Sequence, residues 1–246
     1  MPEVKNLSNW NTSRMRFDSL DLSHETTSLM LSENVKDHRA WLSMDSDPRS
    51  VVISLDEEIH AETRLIVSAL NTNPLPLFLR NPDDFKISGW RRVMRQAKNL
   101  LDKGPGFTVI DRLPMEEFNE EDIKAVFWIV GQLIGRTVAQ KWSGEMLYDV
   151  TDTGQKFGYG VRGSFTNVEL VFHTDNAFGI RPPNYVGLLC KYPALSGGVS
   201  RFCSLYSVHN LMLRKHPKLL RRLYQPMLFD RQAEHGPEAP KTAYAP

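Results

Sequence analysis

The sequence predicts an α+β chain with a mainly β core behind a helical N-terminal region. Three observations carry this. Apolar residues recur at helical spacing in Val51–Pro74, and a second helix is read over Ser88–Leu101. A third helical pattern, NEEDIKAVFWIVGQLIG, follows from Asn119. After Arg136 the texture changes to short β-rich runs split by Gly, Asn and Pro, the spacing of an all-β sandwich or barrel. The expected division is a helical region over 1–103 and a β core over 104–246.

Residues 1–50 are rich in Ser, Asn and Asp and read as loops with short helices, one around Val35–Leu42. In the first strong helix, Ile59, Ile66, Val67 and Leu70 form the apolar stripe. Asp56 is its expected N-cap, Glu57 and Glu58 suit its first turn, and Asn71 and Pro74 end it. The second helix carries basic residues on its outer face. Gly104-Pro105-Gly106 then punctuates, and Phe107–Ile110 reads as a short strand. The third helix is expected to reach Ile134, with acids in its first turn and Gly135 at its end. The β runs are TVAQKW, MLYDV, VELVFHTD, YVGLLCKY and VSRFCSL. Residues Ser207–Tyr224 are helical again, split by Pro217. The tail DRQAEHGPEAPKTAYAP reads as a polar, Pro-rich end.

The 246 residues suit one large domain, or one with an extension. Thirty basic against 29 acidic residues leave a net charge of +1, so nucleic acid is not expected as a partner. The basic run RKHPKLLRR (214–222) reads as a solvated helix face, with Leu213, Leu219, Leu220 and Leu223 as its buried stripe. No apolar run approaches a membrane span, and the polar start MPEVKNLSNWNTSRMRFD lacks the apolar region of a signal peptide. A cytoplasmic protein is expected. The two cysteines, Cys190 and Cys203, are too few for a disulfide framework and read as small core residues.

The stretch VELVFHTDNAFGI (168–180) carries the chemistry. A strand has a side-chain period of two, so Glu169, Val171, His173 and Asp175 share one face. Leu170, Phe172 and Thr174 form the other, which is expected to pack. Ionisable groups crowded on one face require solvent, mutual pairing or a metal. An imidazole and a carboxylate suit Fe(II) in a facial site of two histidines and one carboxylate, or catalytic zinc. A surface His-Asp pair on an edge strand fits the same three-residue pattern.

The wider context narrows this. The stretch Gly104–Arg231 resembles the Fe(II)/2-oxoglutarate-dependent oxygenases of the taurine dioxygenase (TauD/TfdA-like) family. The residues carrying the resemblance are GPGFTVIDRLP, the helix ending in LIG, FHTDNAF, RPPNYVGLLC, SGGVSRF, and VHNLMLRKHPKLLRRL with LFDRQ, in that order. The resemblance implies a double-stranded β-helix (jelly roll) for the core. It implies that His173 and Asp175 are two of three iron ligands and the catalytic pair. It also implies that Ser200 helps bind 2-oxoglutarate, 200 − 173 = 27 residues beyond the histidine. Family members often carry Thr there, and Ser keeps the hydroxyl. Fe(II) and 2-oxoglutarate are the implied cofactor and co-substrate, with O2 and a small molecule as the other partners. The implied reaction is hydroxylation of an unactivated C–H, or another oxidation, with release of succinate and CO2. A carboxylate at Asp175 favours hydroxylation over halogenation.

The family draws its third ligand, a histidine, and a 2-oxoglutarate-binding arginine from a strand far downstream. His209 and His216 lie in the helical stretch and His235 in a polar loop, so none fits that place. The chain is therefore expected to lack the C-terminal part of the fold. Glu169, facing the same way as His173, is a candidate for a substrate amine or guanidinium. Arg162, Asn167 and Asn176 flank the same mouth, and Gln140 and Tyr148 are placed on preceding strands that line the cavity. Phe172 and Phe178 are expected in the core. An amino acid or natural-product intermediate is the expected substrate class, and dimers or tetramers are common in the family. Two other readings stay open: a non-catalytic metal- or small-molecule-binding β-domain, and a zinc hydrolase.

Overall fold

Asp56 starts the first helix by a local bond. In the computed structural model, which describes residues 29–45, 47–179, 182–232 and 234–245, its carboxylate accepts from the Ile59 amide at 3.1 Å and opens α1 (Glu57–Thr72). Ile59, Ile66, Val67 and Leu70 are buried, as their spacing requires. Helix α2 (Ser88–Lys103) has no capping side chain of its own, because Ile87 precedes it. Glu62 of α1 takes that role from the neighbouring helix. Its buried carboxylate accepts from the Gly89 and Trp90 amides, each at 2.8 Å. Helix α3 (Glu120–Gly131) starts at Asn119, whose side chain accepts from the Asp122 amide at 2.9 Å. It ends three residues before Ile134, and turns carry the chain on to Gly135.

Helices α1, α2 and α3 pack pairwise, with Trp90, Ile123, Val126 and Ile129 among the fully covered side chains. A short parallel pair, β1 (Val52–Ile53) with β2 (Val109–Ile110), closes one side. Burying such residues is worth roughly 1.5–3 kcal/mol each, so this three-helix cluster is the main source of stability.

The described residues divide into two compact units, one within Met30–Asp149 and Tyr185–Arg222, the other within Val150–Asn184 and Leu223–Pro246. The first holds the helical core. It also holds α4 (Leu205–Lys215), started by the Ser204 side chain accepting from the Ser207 amide. Asn210 on α4 bonds both the amide and the carbonyl of Val35, at 2.8 and 2.7 Å. Ser207 donates to the Trp41 carbonyl. Phe107 stacks on Phe202 at 4.8 Å and tilts against Trp41 at 5.5 Å. Pro217 divides α4 from α5 (Pro217–Leu223), as the sequence requires.

The second unit contains an antiparallel hairpin of β3 (Met227–Asp230) and β4 (Thr242–Ala245), in which Met227 faces Ala245 and Asp230 faces Thr242. The polar, Pro-rich composition of the tail hides this hairpin.

Several expectations are corrected. The five β runs between Arg136 and Phe202 form no strand among the described residues. A strand exists only where its amides and carbonyls meet a neighbour, and none lies alongside these runs among the described residues. The packed face expected of Leu170, Phe172 and Thr174 is exposed instead. The described residues hold two two-stranded sheets and no closed barrel, which neither supports nor contradicts the jelly roll expected of the core. Residues 35–42 turn without forming a helix. Cys190 is exposed and Cys203 only half-buried, so neither is a core residue. Of the basic helical run, Leu220 is buried while Leu219 and Leu223 are exposed. The N-terminal run MPEVKNLSNWNTSRMRFD lies outside the described residues. No described helix is long and apolar enough to cross a membrane.

Candidate metal centre

His173 and Asp175 meet in space without a strand beneath them. Upstream, a single 3-10 turn at Gly163–Phe165 is closed by Thr153, whose amide and hydroxyl both donate to the Phe165 carbonyl at 3.0 and 2.9 Å. Thr166 donates back to the Gly163 carbonyl through its amide and hydroxyl, at 3.0 and 2.9 Å. The chain then runs out irregularly to His173 and reverses at Asp175. Asn176 adopts the left-handed conformation (φ 52°), and the Gly179 amide donates to its carbonyl at 2.9 Å. Asn tolerates that conformation better than most residues.

The reversal brings the side chains together. His173 Nε2 lies 3.5 Å from Asp175 Oδ1, with both side chains about half exposed. His173 Nδ1 lies 2.7 Å from the Val171 carbonyl oxygen. A carbonyl can only accept, so Nδ1 carries the proton, and Nε2 is the ring nitrogen left to serve as a ligand. Holding one ring nitrogen on a carbonyl to free the other is how metal-ligating histidines are oriented.

The separation suits a shared ion. Metal–nitrogen and metal–oxygen bonds of about 2.0–2.2 Å set two donors about 3.0 Å apart at a right angle and about 3.4 Å apart at the tetrahedral angle. The pair therefore fits a metal with a slight closure of the turn. Among the described residues no group of three or more His, Cys, Asp or Glu stands close enough to hold a metal. The pair supplies two donors of a set.

The other candidates fall into two groups. Glu169, Asn176 and Arg162 share a unit with the pair, whereas Ser200, Gln140 and Tyr148 belong to the other. Glu169 and Asn167 are exposed, Asn176 half-buried, Phe172 exposed and Phe178 half-buried. Arg162 is ion-paired with Glu234 at 2.6 Å. Ser200 is exposed in the loop after Gly197 and Gly198, both with positive φ (74° and 67°). A side chain at Gly198 would sit 2.8 Å from the Ala194 methyl, so the turn requires glycine twice over. Gln140 is occupied within its own loop, its amide donating to the Glu145 carbonyl and its side chain to Val138. Tyr148 lies beneath the Lys141 ammonium at 4.7 Å.

The comparisons with known proteins bear on this pair. Residues 71–244, which contain it, match the family model described as taurine catabolism dioxygenase TauD, TfdA family. The chain belongs to this family. A TauD/TfdA relative, the FR-33289 synthase of Streptomyces rubellomurinus (strain ATCC 31215), is 26% identical over 188 residues. The alignment covers 76% of this chain and 54% of that protein, so this TauD/TfdA chain spans about half the length of the curated relative it matches. TauD/TfdA membership carries the expectation of a jelly roll.

Sequence reasoning missed Asp230 and Glu234, which tie the hairpin region to the segment before His173, and Arg231, which bonds within the hairpin region. LFDRQ carries part of the resemblance, but nothing local in DRQAE signals that Arg231 and Glu234 are buried.

Proposed function

We propose that this TauD/TfdA chain is an Fe(II)- and 2-oxoglutarate-dependent dioxygenase that hydroxylates an unactivated C–H of a small molecule. The substrate class is an amino acid or a natural-product intermediate. The observation that carries the reading is the His173–Asp175 pair, 3.5 Å apart with Nδ1 held on the Val171 carbonyl and Nε2 turned toward Asp175, inside the family-matched region.

Bound at this pair, Fe(II) with 2-oxoglutarate would supply the oxidising power, one oxygen of O2 entering the substrate and the other entering succinate as CO2 leaves. His173 contributes its Nε2 lone pair, and the Val171 carbonyl keeps the ring from turning. Asp175 contributes a negative charge that favours a divalent cation over a neutral ligand. Ser200 offers a hydroxyl to a carboxylate of 2-oxoglutarate. Glu169 attracts a cationic group on the substrate.

The test is anaerobic addition of Fe(II) and 2-oxoglutarate, watching for the visible charge-transfer band of the chelated keto acid. Admitting air should then release succinate, and His173→Ala and Asp175→Ala should abolish both signals. A folded protein with no band counts against the reading. A second reading, a metal- or small-molecule-binding module without turnover, is favoured by the pair being only two donors among the described residues. A band without succinate would select it.

A further inference from the structure

We infer that the Arg162–Glu234 ion pair and the Asp230–Gly160 hydrogen bond are the tether that positions the His173–Asp175 pair, which makes Arg162, Glu234 and Asp230 positioning residues. Toward the metal, the inference rests on the function proposed above.

The contacts form a continuous path within one unit. Asp230, at the end of β3, accepts from the Gly160 amide at 2.9 Å. Two residues on, Arg162 pairs with Glu234 at 2.6 Å, and their side chains are only 15% and 5% exposed. Glu234 is itself fixed, its amide donating to the Arg231 carbonyl at 2.7 Å. Arg231 is held to the start of β4 by its amide on the Lys241 carbonyl and its guanidinium on the Pro240 carbonyl, at 3.0 and 2.8 Å. Beyond Arg162, Gly163 lies under Leu170, where an added Cβ would come within 2.7 Å of Leu170 Cδ2. Leu170 is followed by Val171, whose carbonyl holds the His173 ring.

The segment 166–175 has no sheet to fix it, so its geometry must come from such contacts. A shielded ion pair sets one relative placement and penalises others, because parting the partners takes a shielded charge away from its counter-charge. The pair joins residues 72 positions apart (234 − 162), so it carries the hairpin's rigidity to the metal-binding segment. The guanidinium of Arg162 is thus committed to the scaffold rather than to a substrate.

The test compares the wild-type chain with Glu234→Gln, Arg162→Lys and Asp230→Ala. Amide hydrogen exchange over residues 163–176 should accelerate about 10-fold in Glu234→Gln, with exchange in α1, α2 and α3 unchanged. Co(II), titrated as a spectroscopic probe, should bind about 10-fold more weakly in Glu234→Gln, the lower end of the loss seen when residues supporting a metal ligand are removed. Arg162→Lys keeps the charge and should recover part of both effects. Should Glu234→Gln fail to fold, Asp230→Ala removes the acceptor of the Gly160 amide and should show the same local acceleration. Unchanged exchange over 163–176 overturns the tether. A faster segment with unchanged Co(II) affinity overturns its positioning role. A wild-type chain that takes up no Co(II) defeats the oxygenase reading instead, and the exchange data still decide the tether.

Discussion

Glu62 caps a helix to which it does not belong: its carboxylate accepts the Gly89 amide at 2.8 Å, one helix away. The same carboxylate takes the Trp90 amide at 2.8 Å and the Ser88 hydroxyl at 3.3 Å. The first amides of α2 have no partner within their own helix, and here they are sealed from water. Glu62→Ala is expected to destabilise the chain by roughly 1–3 kcal/mol, the cost of leaving buried amides without acceptors. Glu62→Gln keeps an acceptor and should cost less. Urea unfolding followed by helical circular dichroism measures both, and an unmoved Glu62→Ala midpoint rules the cap out.

The same junction sets a contrast between two glycines. A Cβ at Gly89 would lie 2.6 Å from Ile59 Cδ1 and 3.0 Å from Glu62 Oε2, whereas one at Gly131 meets nothing within 4 Å. Alanine gains helix propensity at either position, at most about 1 kcal/mol because both lie at helix ends. At Gly89 overpacking of roughly 1–3 kcal/mol outweighs it, so Gly89→Ala should lower the unfolding midpoint. Gly131→Ala should raise it. Equal shifts in the two variants would contradict the packing described here.

A surface network makes stability depend on pH. Glu120 accepts from Lys191 at 2.8 Å and from the Tyr192 hydroxyl at 2.7 Å. The Lys191 ammonium, then the Tyr192 hydroxyl, hold its carboxyl below the usual range. A depressed carboxyl contributes stability above its unfolded pKa, about 4.3, and loses it as pH falls through the lower folded value. The Glu120 hydrogen bond and charge raise the Tyr192 phenol, whose contribution is present below about pH 10 and lost as pH rises through the folded value. The gap in urea midpoint between wild type and Glu120→Gln should be open at pH 7 and should shrink as pH falls below about 4.3, the unfolded value. A gap of the same size at every pH excludes the carboxylate as its source. Salt should narrow it at pH 7.

If Ser200 holds the keto acid, Ser200→Ala should raise the KM for 2-oxoglutarate by roughly 10-fold or more, since a hydrogen bond to a charged group is worth about 1.5–3 kcal/mol. Ser200→Thr should leave it near the wild-type value. Succinate formation across a range of 2-oxoglutarate concentrations measures this. A KM unchanged in Ser200→Ala removes the residue from the binding site.

The helical core was legible because its information is local. Asp56 precedes an acidic first turn, Ile59, Ile66 and Leu70 fall on one face, and Asn119 stands before three acids. The capping of α2 was not legible, because Glu62 lies 27 residues from Gly89 (89 − 62) and only folding joins them. VELVFHTD has the composition of a strand, yet composition does not supply a neighbouring strand, and the chain leaves the run at Asn176. The juxtaposition of His173 with Asp175 was anticipated from strand parity and arises in the structure from a turn. The β3–β4 hairpin escaped notice because its two short strands are separated by residues 231–241, whose charges and prolines read as a tail.

The left-handed backbone of Asn176 narrows what a library can sample around the pair. A β-branched side chain directly after the carboxylate would oppose the chain's exit, at a cost of order 1–2 kcal/mol. Diversity near the pair is therefore better tolerated at exposed Glu169 and Phe172, while position 176 is best restricted to Asn, Asp or Gly.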